Sequence, residues 1–218
     1  MRNVVQADLN NTYVLVTLPD GTRVRELATS STRSRYNFSR SAFIFGQQTD
    51  GSSVPASGTG SFSGEMIASS VINDRRDNID LADGEDGSTY FQWIEGRANL
   101  DFNFGQNTFA VGLNGRVFAP YFDNGTSGNH TIRDNATFNA TGAGRIDLVA
   151  TGGFLGQFQQ AWFVNPDNTR YNLLIGGSSV DGAFYGPQAQ EVGGNFRIVG
   201  GTPDERIDIL GVFTGSKK

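Results

Sequence analysis

Residues 109–117, Phe-Ala-Val-Gly-Leu-Asn-Gly-Arg-Val, place an apolar residue or glycine at every odd position, with Asn114 and Arg116 between them. A period of two is what a strand buried on one face requires. The same alternation is read in Phe154, Gly156, Phe158, Gln160, Trp162 and Val164, and again in Ile207, Ile209, Gly211 and Phe213. Between these runs lie turn segments: Gly105-Gln106-Asn107, Pro166-Asp167-Asn168 and the stretch from Gly200 to Asp204. Spacings of this kind suit antiparallel hairpins. They predict roughly eight to ten strands after residue 57, enough to close a barrel and remove exposed sheet edges.

The first part of the chain reads differently. Thr12 to Leu18 and Thr22 to Leu27 flank Pro19-Asp20-Gly21 and predict a hairpin. Ala28 to Ser34 reads as a loop, and the aromatic alternation of Tyr36, Phe38, Phe43 and Phe45 predicts a strand over 36–45. Asp50-Gly51 and Val54-Pro55 supply turn chemistry. The expected division is therefore a small strand-rich region at 1–50 and a barrel at 51–218. Two segments interrupt the barrel pattern, the acidic run from Asn73 to Ser88 and the Asn/Gly/Thr-rich run from Asp123 to Asn135, and both are expected at the rim, where binding residues collect.

Composition sharpens this picture. Glycine contributes 29 of 218 residues and phenylalanine 17, a mixture that favours strands and tight turns. Glycine on the inward register lets Phe and Trp of neighbouring strands interdigitate. The chain has no cysteine, which removes disulfides, thiolate metal sites and an N-terminal lipidated cysteine of this chain. A net charge of −5, from 17 basic and 22 acidic residues, argues against nucleic acid as a partner. No apolar run approaches the 18 residues of a membrane-spanning helix. Met1 to Asp8 lacks the apolar stretch of a secretory signal, so either a leader was removed or the protein is not exported by that route.

Gly182 to Phe196 is the least ordinary stretch. A strand is predicted to end at Tyr185, with a bend at Gly186 and Pro187 opening one short helical turn. Gly193 or Gly194 is expected to supply a positive-φ exit before Phe196 restarts a strand. The corner Phe184-Tyr185-Gly186-Pro187, followed by Ala, Glu, Gly193-Gly194 and Phe196, resembles the signature of the C-terminal β-barrels of transferrin-binding protein B and its relatives in Gram-negative bacteria. Val54 to Gly64 is similar to the opening of that barrel, with Phe62 where a Tyr is usual, and Gly96 to Gly115 is similar to its second and third strands. The resemblance covers about residues 43–215. It implies an all-β fold: an eight-stranded soluble antiparallel β-barrel preceded by a small handle domain. It also implies a surface lipoprotein or secreted binder, of the kind that captures transferrin, complement factor H, haemoglobin or haem. The corner residues shape the barrel in that family, so they carry the fold further than the ligand.

Several residues are candidates for contact with a partner. His130 is the single histidine; it is either an ordinary loop residue or one axial ligand to haem. Arg23, Arg25, Arg33, Arg35 and Arg40 against Glu26 form the positive stretch of the sequence. They suit an acidic protein surface or anionic glycan, or are scattered surface cations. Tyr90 and Trp93, and Tyr121 beside Pro120, are either an aromatic binding edge or core positions of a strand start. The carboxylates between Asp77 and Gly87 do not follow the spacing of a helix-loop-helix Ca²⁺ site and read as a solvated acidic loop. No metal site is expected. Neither a Gly-x-Ser-x-Gly elbow nor a dinucleotide fingerprint is present, and no catalytic residue is assigned.

The sequence thus leads to a non-enzymatic extracellular or cell-surface protein that presents rim loops and an N-terminal handle to a protein partner, with no required cofactor. The competing readings are a secreted haem carrier and a self-assembling protein of a surface layer or secreted particle.

Overall fold

The computed structural model describes residues 2–5, 13–17, 23–27, 39–74, 89–122, 131–202 and 205–218. Short strands come first: β1 (Arg2–Val5), β2 (Tyr13–Thr17), β3 (Arg23–Leu27) and β4 (Ser39–Ser41). β2 and β3 pair antiparallel from Tyr13↔Leu27 to Thr17↔Arg23, as the Pro-Asp-Gly turn between them predicts. β1 pairs with β4. The strand expected over 36–45 is confined to Ser39–Ser41 within the described residues, and Phe43 and Phe45 lie exposed beyond it. Their alternation comes from a strap crossing the barrel wall, described below, not from a sheet.

A single 3-10 turn (Gly51–Ser53), started by Asp50 accepting from the Ser52 N–H at 2.9 Å, leads into the barrel. Its strands are β5 (Thr59–Asp74), β6 (Thr89–Asn103), β7 (Thr108–Val117), β9 (Thr137–Asp147), β10 (Gly153–Val164), β12 (Leu174–Tyr185), β13 (Glu191–Gly201) and β14 (Glu205–Lys217). Each pairs antiparallel with the next, and β14 with β5 closes the ring, giving eight strands without a free edge. Two short strands attach to it: β8 (Tyr121–Phe122) on β6, and β11 (Arg170–Asn172) on β10.

The inward register is filled. Phe62, Phe102, Phe104, Phe109, Phe154, Phe184 and Phe213 are buried together. Their ring centroids lie 5.0–6.4 Å apart in edge, tilted and stacked arrangements. Such pairs add to the gain from burial. Glycine makes the room: a Cβ on Gly211 would lie 2.5 Å from Phe196 Cζ and 2.6 Å from Ala68 Cβ. The interdigitation is one of phenylalanine, because both tryptophans lie on the outer register, half-buried.

Strand β7 keeps the predicted alternation, with Phe109, Val111, Leu113 and Val117 buried. So does β14, with Ile207, Ile209 and Phe213 inside. Strand β10 departs from it. The pairing with β9 shifts by one between Phe158 and Gln160, a β-bulge at Gln159. Beyond the bulge Ala161 and Phe163 face inward, and Gln160, Trp162 and Val164 face out. An extra residue turns the side chains after it to the opposite face, so a constant period of two misassigns the second half of the strand.

The corner also differs in detail. β12 ends at Tyr185 and the chain bends at Gly186, as expected, with Gly186 at φ +80°. Residues 186–189 form a turn, and the positive-φ exit is Ala189 at φ 52°. Gly193 and Gly194 lie within β13, where close approach, not backbone hand, requires glycine. A Cβ on Gly194 would run into the Asp181 carbonyl and, at 2.6 Å, Phe213 Cζ; one on Gly193 would meet Ile44 Cδ1.

Candidate functional site

Three structures stand out at the wall and mouth of the barrel. The first is the strap of residues 42–50. Gln48 forms an isolated antiparallel bridge with Tyr185. The Thr49 N–H donates to Phe184 O at 2.9 Å, its hydroxyl donates to Gly186 O at 2.6 Å, and the Gly186 N–H donates to Gln47 O at 3.0 Å. The Gln48 amide reaches Gly152 O at 2.9 Å. Gly46 lies on the face of the Tyr185 ring, where a Cβ would be 2.9 Å from Cδ1. The corner therefore works as a clasp: Phe184 fills the barrel, and the backbone around it fastens the chain arriving from the N-terminal strands. Between the strap and strands β5, β13 and β14 is a groove of about 590 Å³ that includes Phe45, Glu65, Tyr185 and Glu191.

The second structure is a cluster of charge on the outer wall. Arg40 Nη1 donates to Ser69 O and Asp208 O, each at 3.0 Å, and Nη2 lies 3.0 Å from Asp208 Oδ1. Arg197 grips the other side of the same carboxylate, with Nε at 3.2 Å from Oδ1 and Nη2 at 2.7 Å from Oδ2. Burial works against the charged Asp208, but the hydrogen bonds and charges of Arg197 and Arg40 outweigh it and hold its pKa below the usual carboxylate range. Burial lowers the pKa of Arg40, opposed by Asp208.

The third is a polar plug at the end of the barrel opposite the phenylalanine cluster. Thr131 to Ala136 dips into the mouth, with Ile132 fully buried. The Gln92 amide donates to Phe118 O at 3.1 Å and Ile132 O at 3.0 Å. Asn165 donates to Thr131 O at 2.8 Å and accepts from the Arg133 N–H at 3.1 Å. Tyr90 and Thr131 both donate to Glu205 Oε1, at 3.2 and 2.7 Å. Burial, then the Glu205 charge, raises the Tyr90 phenol far above its ordinary pKa. These bonds satisfy most of the polar groups here that water cannot reach, while Gln92 Oε1 is buried without a partner. The end of the segment expected as a rim excursion is therefore a stopper.

Among the described residues the predicted contact residues divide between the outer wall, where Arg40 lies on Ser69, the cross-strand neighbour of Trp93, and the barrel interior, where Tyr90 lies. Arg40 is committed to Asp208, its side chain 9% exposed, and is unavailable to an acidic partner. Tyr90 faces the interior and belongs to the core. Trp93 lies half-buried on the outer wall, edge-on to Phe91 with centroids 5.1 Å apart. Tyr121 lies in β8, paired with Phe91. Arg33, Arg35, His130 and the acidic residues 77–87 lie outside the described residues, and Arg23 and Arg25 are placed only as positions in β3. Among the described residues no group of three or more His, Cys, Asp or Glu is arranged to hold a metal ion. Sequence reading missed Glu205 and Asn165, whose partners lie on distant strands and loops, and Phe45, whose aromatic alternation suggested a sheet.

The family model described as the C-lobe and N-lobe beta barrels of Tf-binding protein B matches residues 54–217. Among curated proteins, none matches. A solved mutant of transferrin-binding protein B from Haemophilus parasuis Hp5 is 21% identical with a TM-score of 0.39, covering 78% of this chain and 28% of that one. The isotype 1 transferrin-binding protein B of serogroup B Neisseria meningitidis is 18% identical with a TM-score of 0.38, covering 78% and 27%. Ail, the attachment invasion locus protein of Yersinia pestis, is 11% identical with a TM-score of 0.40, covering 74% and 99%. The chain thus spans less than a third of the length of the two transferrin-binding proteins. The residues matched by the family model take in all eight strands of the closed ring and the corner at Phe184–Pro187, and the chain belongs to the family of the transferrin-binding protein B β-barrels.

Proposed function

We propose that this chain is a non-enzymatic binding protein of the cell surface or extracellular space. Its barrel is a rigid frame, and the N-terminal region to residue 50, acting as a handle, together with the segments 73–88 and 123–135, meets a protein partner. The observation that supports this reading best is the filled interior: phenylalanines occupy one end of the barrel and the Gln92–Glu205–Asn165 plug the other. A barrel packed in this way offers a partner its outside and its rims, unlike barrels that hold a ligand in a central cavity. Membership of the family supports the same reading. The protein named by its relatives, transferrin, is the first partner to try.

The test is capture from host serum on the immobilised chain, with purified transferrin as a separate analyte in surface plasmon resonance. A saturable, specifically retained serum protein is the expected result. Serum that leaves no specific protein on the chain overturns the reading.

A further inference from the structure

We propose that the strap at residues 43–46 and the groove beside it form a docking edge for a cationic, extended peptide segment of a protein partner. The inference rests on the protein-binding reading and names the chemistry of the partner. The strap runs along the outer wall with half-buried Ala42 and Ile44 alternating with exposed Phe43 and Phe45, the side-chain pattern of an extended chain. Ile44 is seated against Gly193. Gln47 and Thr49 spend their backbone groups on the corner. Among the described residues, Phe43 to Gly46 make no backbone hydrogen bond. An extended stretch with unspent N–H and C=O groups is the template to which another chain adds as a strand.

The groove determines which chain fits. Its charged lining residues are Glu65 and Glu191, both exposed, and the hydroxyls of Ser63, Thr214 and Ser216 stand beside them. Cations stand beside the rim, Arg97 Nη2 at 3.5 Å from Ser63 Oγ and Lys218 Nζ at 3.4 Å from Asn99 Oδ1, the cross-strand neighbour of Ser63, but they do not line the groove itself, whose charged lining is the two carboxylates. Phe45, 90% exposed, and the Tyr185 ring supply aromatic surface. Carboxylates beside aromatic rings select ammonium or guanidinium groups on a chain whose apolar side chains cover the phenyl ring.

The probe is an acetylated, amidated hexapeptide of alternating lysine and valine, titrated into the ¹⁵N-labelled full chain and followed by amide chemical shifts. Its glutamate-valine counterpart serves as the control. The expected result is saturable shifts at Phe43 to Gly46 with the lysine peptide alone, weakened roughly tenfold in the Glu65→Gln/Glu191→Gln double variant, as two exposed ion pairs would give. Phe45→Ala is expected to weaken binding without altering the spectrum elsewhere. Shifts absent from 43–46, equal for both peptides, or unchanged in the double variant overturn the inference. Serum capture repeated with the double variant separates the two readings. Undiminished capture, with no peptide shifts, overturns the docking edge and leaves the binding function standing. No capture by the natural chain, with the peptide shifts intact, overturns the binding function and leaves the docking edge standing.

Discussion

Arg40 Nη2 and Asp208 Oδ1 meet at 3.0 Å across 168 residues of chain, joining the end of the N-terminal strands to the last strand of the barrel. The pair is mostly withdrawn from water and bonded further to Ser69 and Arg197. Removing one partner of such a pair leaves an uncompensated charge behind.

Arg40→Ala is expected to destabilise the chain by about 2 kcal/mol, since a charge-assisted contact and two backbone acceptors lose their donor. Urea unfolding of the full chain measures this. The pH dependence has a defined sign. Asp208 has a lowered pKa in the folded chain, so its contribution is complete above its unfolded value of about 3.9 and is lost as pH falls through the lower folded value. The stability difference between the natural chain and Asp208→Asn should stay constant from neutral pH down to about 5 and shrink below about 4. A difference unchanged in strong acid would refute the assignment.

Gly211→Ala tests the packing. The added methyl would press on the Phe196 ring and Ala68 from inside a closed ring that cannot open to admit it. A loss of about 1–3 kcal/mol is expected. Gly112→Ala serves as the control, because nothing lies within 4 Å of its Cβ position. Equal effects of the two substitutions on the urea midpoint would show that backbone freedom, not crowding, sets the cost.

The alternation in β7 was legible because every residue from Phe109 to Val117 obeys one register with one buried face. Where reading failed, the cause lies off the strand being read. Gln159 is an ordinary polar residue that nothing local marks as the extra member of a pair. Gly193 is small because Ile44 comes to it from the strap, and Arg40 is engaged because Asp208 waits on β14. Phe184 was legible as part of a corner. That the corner is a clasp depends on Thr49, whose own sequence surroundings suggest only a turn.

The phenol of Tyr90 should stay protonated at alkaline pH until the chain unfolds, because burial and the Glu205 carboxylate oppose its charge. A raised folded pKa means that this contribution is whole below the unfolded value of about 10 and is lost as pH rises above it. Tyrosinate absorbance at 295 nm should therefore include a component that develops together with the loss of β-sheet circular dichroism and is absent in Tyr90→Phe. Smooth titration of all six tyrosines with the fold intact would contradict the plug.

Haemin is expected to give no Soret shift with the chain, because the barrel interior is occupied by Phe102, Phe154 and their neighbours. A shift lost in His130→Ala would instead establish an axial ligand on the 123–135 segment and promote the haem-carrier reading.

The bulge in β10 supplies the last prediction. At the point where Gln159 interrupts the ladder, the Phe158 N–H donates to Ser178 Oγ at 2.9 Å, and the same hydroxyl returns its proton to Phe158 O at 3.2 Å. β10 and β12 are in register only from Phe154↔Gly182 to Gly156↔Val180, so the serine takes over where backbone pairing stops. Ser178→Ala leaves both Phe158 groups without that partner and is expected to cost about 1–2 kcal/mol. Deleting Gln159 in the same chain removes the bulge while leaving Phe158, Ala161 and Phe163 on the inward face, because the residues that remain alternate without interruption. If Ser178 acts by satisfying the bulge, the deletion should abolish most of the cost of Ser178→Ala, a coupling that a double-mutant cycle in urea reads directly. Additive costs would mean that the serine stabilises β12 independently of the bulge.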